Sequence, residues 1–159
     1  MEYLIILLLI TLNGLFAMSE IALVSSKRAR LEEKARKGST GAETALKLLD
    51  EPEKFLSTVQ IGITLVGIIA GAFGGLALAD DLTPTLEKIS WLAPYARQAA
   101  IAIVITIITY FSLIIGELVP KTIAINNPEG ITIALAPFMK FLSWITTPVV
   151  AFLSLSTKI

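Results

Sequence analysis

ITIALAPFMKFLSWITTPVVAFLSL, residues 131–155, is apolar enough to cross a bilayer, and whether it crosses decides the architecture. A span needs about 20 mostly apolar residues, so hydropathy alone would count this one. Three residues argue against it. Lys140 would lie near mid-bilayer, where an unpartnered cation costs about 2.5–3.5 kcal/mol on insertion scales. Pro137 and Pro148 would each release a backbone carbonyl into hydrocarbon. A helix lying along the cytoplasmic interface avoids both penalties, because Lys140 then reaches the headgroups. The stretch at about 129–155 is therefore expected to form an interfacial belt or re-entrant helix pair.

Three other stretches, about 3–26, 55–79 and 98–125, are expected to span. The first carries Asn13, Ser19 and Glu20 in its second half. A signal peptide fits it poorly, since Glu2 stands where Lys or Arg belongs and no clean small-x-small cleavage site follows. In the second, Gly67, Gly71 and Gly75 recur every four residues, a stripe that permits close helix approach within a subunit or across a dimer. Thr64, near the middle of that helix, is expected to bond its own i−4 carbonyl. Between the first two spans, residues 27–54 hold eight Lys/Arg and six acids. Their Ala, Leu, Glu and Lys content predicts two short helices, broken near Gly38–Gly41 and ended by Pro52. The Asp80–Arg97 loop has only two basic residues. Basic excess belongs on the cytoplasmic side. That places Met1 outside, 27–54 inside, 80–97 outside, and Lys121 and Ile159 inside. The expected fold is an all-α membrane protein: three transmembrane helices, short cytoplasmic juxtamembrane helices and a belt helix, in one domain over 1–159.

Composition agrees with that class and removes others. Over 159 residues, 55% of side chains are hydrophobic, 16% are charged and the mean hydropathy is +0.78. A soluble domain carries about 25% charged residues. Thirteen Lys+Arg balance thirteen Asp+Glu, so no electrostatic case exists for a nucleic-acid partner. With no Cys and no His, disulfides, Ser-His-Asp triads and His/Cys zinc sites are excluded. A bound metal must be held by oxygen, which favours Mg²⁺, Ca²⁺ or Na⁺. There is no Gly-rich phosphate loop to support an ATP-driven pump.

Two carboxylates sit inside apolar spans, where an ionisable group is a functional candidate by default. Glu20 lies 17 residues after Tyr3 and Glu117 lies 19 after Gln98. If both helices run from outside to inside, both acids reach a similar depth, roughly 25–29 Å from the outer start. The bland alternative is a pair of local ion bridges, Glu117 with Lys121 and Glu20 with a base of residues 27–37. Gly116-Glu117-Leu118-Val119-Pro120-Lys121 argues further for a site. Pro120 has no N–H, so the Gly116 carbonyl loses its helical partner, and glycine has no side chain to cover that oxygen. A freed carbonyl beside a carboxylate suits a hard cation; a plain proline kink is the alternative. Ser19 and Asn13 could add neutral oxygens, or serve as inter-helix hydrogen bonders.

Three elements occur in order and at fitting spacing: Phe16-Ala17-Met18-Ser19-Glu20-Ile21-Ala22-Leu23, Val59-Gln60-Ile61-Gly62-Ile63-Thr64-Leu65-Val66-Gly67, and Gly116 to Lys121. With the basic helix after the first, they resemble the transmembrane domain of the CorC / cyclin M magnesium transporters over nearly the whole chain. The resemblance implies three spans, an amphipathic belt, a homodimer in the lipid bilayer, and Mg²⁺ bound between the first and third helices. Its implied metal residues here are Ser19, Gly116, Glu117 and Glu20, with transport driven by Na⁺. It also implies cytosolic paired CBS domains in a full-length chain. The family often has Ser where this chain has Ala17, and Asn where it has Ile63 and Gly67, so ligands there would be backbone carbonyls or come from elsewhere. The competing readings are a dimerising module that senses a cation without moving it, and a proton relay; two acids at one depth suit a site better than a wire.

The topology is directly testable. A Cys introduced at Thr83 should react with an impermeant thiol reagent added outside, and one at Thr40 should not; reversed labelling would overturn the orientation.

Overall fold

The computed structural model describes residues 2–157, all helix and short connections. Met1 and Ile159, the ends assigned to the two sides of the membrane, lie outside the described residues. The elements are α1 (Glu2–Ser25), α2 (Arg28–Arg36), α3 (Thr40–Asp50), α4 (Pro52–Leu86), a 3₁₀ turn (Ala93–Tyr95), α5 (Ala96–Leu113), a π-helical turn (Ile114–Leu118), α6 (Val119–Asn126) and α7 (Pro128–Thr157). Among the described residues, four stretches are long and apolar enough to cross a membrane: Glu2–Ser25, Pro52–Leu86, Ala93–Asn126 and Pro128–Val150.

The chain divides into two compact units. The first comprises Met1–Gly14 and Thr64–Val119. Its core is a cluster of Ile6 and Ile10 from α1 with Val104 and Ile108 from α5, against which Leu78 and Leu82 of α4 pack. At one end, the Tyr3 hydroxyl donates to Asp81 Oδ2 (3.3 Å) and Arg97 Nη2 lies 3.7 Å from Asp80 Oδ1. Both acids ride on α4, which continues to Leu86 with Pro84 inside it. The loop expected over 80–97 is thus shorter. Its acids sit exposed on a helical surface, where partners and water satisfy them without ending the helix.

The second unit comprises Leu15–Ile63 and Pro120–Ile159. Here α2 and α3 form a short hairpin. Gly38, at φ +89°, takes the left-handed turn between them that a side chain would resist. Ser39 then caps α3, its Oγ accepting from the Ala42 N–H (3.3 Å). The buried Leu31, Ala42, Ala45 and Leu48 face inward, and α3 packs along α7.

α7 is one helix of 30 residues that runs through Pro137 and Pro148, where the sequence suggested a helix pair. The reason lies in its neighbour. Pro137 deprives the Ile133 carbonyl of its i+4 donor, and Gly41 of α3 sits so close that a Cβ there would be 2.5 Å from that oxygen. Irregular backbone bonding is tolerated in apolar surroundings when protein covers it. Further along, the Thr147 hydroxyl donates to Ser143 O (2.7 Å) and that of Thr146 to Leu142 O (3.0 Å).

Glycine-to-alanine substitutions should therefore differ in sign along the chain. In open helix, as at Gly67 with nothing within 4 Å of an added Cβ, Ala gains up to about 1 kcal/mol from propensity. At Gly41 the clash with backbone outweighs that and should destabilise by about 1–3 kcal/mol. Thermal melts in detergent should show Gly41→Ala below, and Gly67→Ala at or above, the parent chain.

Candidate cation site

The site residues expected from the sequence fall in both units. The first unit ends just after the π turn Ile114–Leu118, where the Val119 N–H reaches back to Ile114 O, and Pro120 is the next residue of the chain. Widening one turn is a common answer to a proline that cannot join the i→i+4 ladder. Gly116 is buried in that turn, and an added Cβ would meet Ile10 O at 3.1 Å and Asn13 Nδ2 at 3.3 Å. The missing side chain lets the α1 backbone come close. Asn13 Nδ2 donates to the Gly116 carbonyl across 3.0 Å.

That bond fixes the amide's orientation, since a carbonyl can only accept and the NH₂ must face it. Asn13 Oδ1 is then turned away, buried, and without a hydrogen-bond partner. A buried oxygen left unsatisfied costs about 1–3 kcal/mol, so this atom is either a strained defect or a ligand in waiting. Glu117, the next residue after Gly116, is half-buried on the same turn. Asn13, a secondary candidate in the sequence, is thus brought onto the Gly-Glu element. Thr64 is exposed on α4.

In the second unit, Ser19 is buried, and its hydroxyl donates to Phe16 O (2.8 Å). It borders a cavity of about 10 Å³ lined mainly by apolar side chains, with Thr132 and Met139 of α7 among them. Glu20 Oε2 lies 3.8 Å from Lys121 Nζ, both side chains about a quarter exposed (27% and 28%). The local-bridge reading of Glu20 with a base of residues 27–37 is corrected here. Arg30 from that segment turns instead to Glu129 (3.5 Å), and a base far along the chain reaches Glu20. At that distance and exposure the pair adds little stability.

Glu129 was missed by sequence reasoning. It is 6% exposed and accepts the Lys27 N–H (3.3 Å) in addition to facing Arg30. The available signal was Pro128-Glu129, a proline and an acid opening a helix. Among the described residues no three or more Asp or Glu converge as a metal-binding group. A cation held by the Gly116 turn would depend on amide and carbonyl oxygens with a single carboxylate.

The family model for the cyclin M transmembrane N-terminal domain matches residues 4–159. The UPF0053 protein sll0260 of Synechocystis sp. is 48% identical over 157 residues, 99% of this chain and 35% of that protein. A polyamine export protein of Haemophilus influenzae is 33% identical over 151 residues, 92% of this chain and 34% of its own length. The polyamine export protein of Escherichia coli K12 is 28% identical over 149 residues, 94% of this chain and 33% of its own. The chain spans about a third of the length of these curated relatives.

Substituting Pro120 tests the origin of the π turn. Pro120→Ala restores an N–H at 120, so the Gly116 carbonyl can rejoin a regular ladder. The ion-free protein should melt a few degrees higher in detergent, and a lower melting temperature would show that the turn is not held open by proline.

Proposed function

The chain belongs to the cyclin M transmembrane domain family, and from that premise we propose that it is the membrane part of a Mg²⁺ exporter. The observation that carries the reading is the orphaned, buried Oδ1 of Asn13, whose amide nitrogen holds the Gly116 carbonyl on the turn that bears Glu117. An amide oxygen from α1 with a carbonyl and a carboxylate from the irregular turn would suit a hard cation. The carboxylate supplies the charge that offsets partial dehydration, and the neutral oxygens complete the shell together with retained waters. Ser19 and Glu20, also expected as metal residues, sit on the second unit's part of α1; the same assay tests each by substitution. The function is transport, not enzymatic turnover. A Na⁺ gradient drives it, two copies of the chain form the working unit, and cytosolic CBS domains complete the full-length protein, as the family resemblance implies. The open stripe at Gly67 and Gly71, where an added Cβ meets nothing within 4 Å, supports dimerisation through α4.

We place the protein in the cell membrane with α1, α4 and α5–α6 crossing, the N-terminus outside and the C-terminus in the cytoplasm. α7 then lies as a belt in the cytoplasmic half. Supporting this, the Thr132 hydroxyl pairs with Ser26 just past the end of α1 (2.9 Å), and that of Thr146 with Thr58 near the start of α4 (3.1 Å). A crossing helix would have advanced about 21 Å between those two positions, yet Thr58 is only about 9 Å along α4 from Pro52. Lys140 is exposed, free to reach headgroups.

A second reading is favoured by two relatives named polyamine export proteins. A site of acceptor oxygens with one carboxylate also suits an alkylammonium group, which needs acceptors and little negative charge. Flux separates the two. Proteoliposomes containing the chain should move Mg²⁺ when a Na⁺ gradient is applied and should not move spermidine. Glu117→Gln keeps the shape and removes the charge; it should abolish Mg²⁺ binding in calorimetry and Mg²⁺ flux, while Ser19→Ala costs less. Spermidine flux without Mg²⁺ flux would install the second reading, and unchanged Mg²⁺ affinity in Glu117→Gln would remove the proposed site.

A further inference from the structure

The corner between α1 and α2 carries a charge that neither the fold nor the cation site uses. Residues 27–37 contain six Lys/Arg and two Glu. On α2 and the residue before it, Lys27, Arg30, Lys34 and Lys37 recur at helical spacing and fall within a sector of about 80°. Beside that sector, Leu31 is fully buried, so the stripe is held in a fixed direction. Arg30 faces the buried Glu129 at 3.5 Å and Lys37 pairs with Glu33 at 2.6 Å. Lys27 and Lys34 are exposed and make no ion pair within 4 Å among the described residues, although Lys34 stands near enough to Glu129 and Glu33 to favour their charged forms.

The level at which this stripe sits is set by its neighbours. α1, an apolar helix, ends at Ser25, two residues before Lys27. α7, another apolar helix, begins at Pro128, and its Glu129 accepts the Lys27 N–H while facing Arg30. The ends of two apolar helices thus meet at the stripe, at the border between hydrocarbon and water. Basic residues just beyond a span meet phosphate headgroups there.

We propose that Lys27 and Lys34, with Arg30 and Lys37 beside them, bind the headgroup of an anionic phospholipid. The lipid's tails lie along the apolar ends of α1 and α7, and its phosphate supplies the close counter-charge that Lys27 and Lys34 do not have within the chain. This requires only that α1 crosses the bilayer and holds whichever cation is carried.

The chain, purified in neutral detergent, is titrated with phosphatidylglycerol or phosphatidylcholine, and bound lipid is counted by native mass spectrometry. Phosphatidylglycerol should be retained in preference, and the double variant Lys27→Gln/Lys34→Gln should weaken that retention by roughly tenfold or more. Lys34→Gln alone should show part of the loss, and Lys47→Gln/Lys88→Gln, altering exposed bases elsewhere, should not. Excess inorganic phosphate should fail to displace the lipid, since tail contacts add to the headgroup. Equal retention of the two lipids, equal loss in both double variants, or displacement by inorganic phosphate would each overturn the proposal. Thiol labelling at positions 40 and 83 should be unchanged in Lys27→Gln/Lys34→Gln; inverted labelling would assign the stripe to membrane orientation instead and likewise overturn it.

Discussion

A backbone carbonyl that loses its helical donor inside an apolar layer must find another partner or be covered, and much of this structure answers that constraint. Two prolines pose the problem and are answered in opposite ways. At Pro120 the helix widens into a π turn, and a side chain from α1 comes to the released region to donate. At Pro137 the helix keeps its course, and Gly41 presses backbone against the Ile133 carbonyl. The first answer leaves a polar group with capacity to spare. The second leaves none, which is why Pro120 marks a candidate site and Pro137 marks a packing contact.

Hydroxyls supply most of the remaining polar contacts in the apolar helices. Thr11, Ser19, Ser26, Thr58, Thr83 and Thr106 each donate to a carbonyl three or four residues back on their own helix. Ser26 can at the same time accept from Thr132 of α7, while Thr58 and Thr146 can bond each other only when one of them gives up its own carbonyl. Such bonds between membrane helices average about 0.6 kcal/mol, so α7 is held by several small contacts and by the packing of α3. The Arg28–Glu32, Arg28–Asp50 and Lys37–Glu33 pairs of α2 are exposed, and pairs of that kind are worth about 0–1 kcal/mol each.

The helical membrane class was legible in the sequence because apolar runs of span length and a polar, Ala/Glu/Lys-rich interval need no tertiary information. Helix ends and partners were not. Asp80 and Asp81 look like loop residues in a hydropathy profile but remain on α4, with Tyr3 and Arg97 beside them. Two prolines in 131–155 suggested interruption, yet α7 is continuous, and at Pro137 the cover comes from Gly41, far earlier in the chain. The Gly-Glu element around Pro120 could be read as a place where a carbonyl comes free. That Asn13 would turn to it, and that Lys121 would stand by Glu20, depended on which helices adjoin.

The π turn also has a geometric effect on its own helix. Buried positions along Ala96–Leu118 fall at Ala96, Ala100, Val104, Ile108 and Gly116, spaced by four residues or a multiple of four. A regular α-helix turns once in about 3.6 residues, so such a repeat drifts about 40° at every step. A wider turn takes back part of that drift. Ile114–Leu118 therefore keeps Gly116 closer in phase with the buried residues of α5. Removing one residue before Gly116 would turn it away from that buried line by about 100°. Substitutions on the outward side of this turn can be absorbed, but a change in its length cannot.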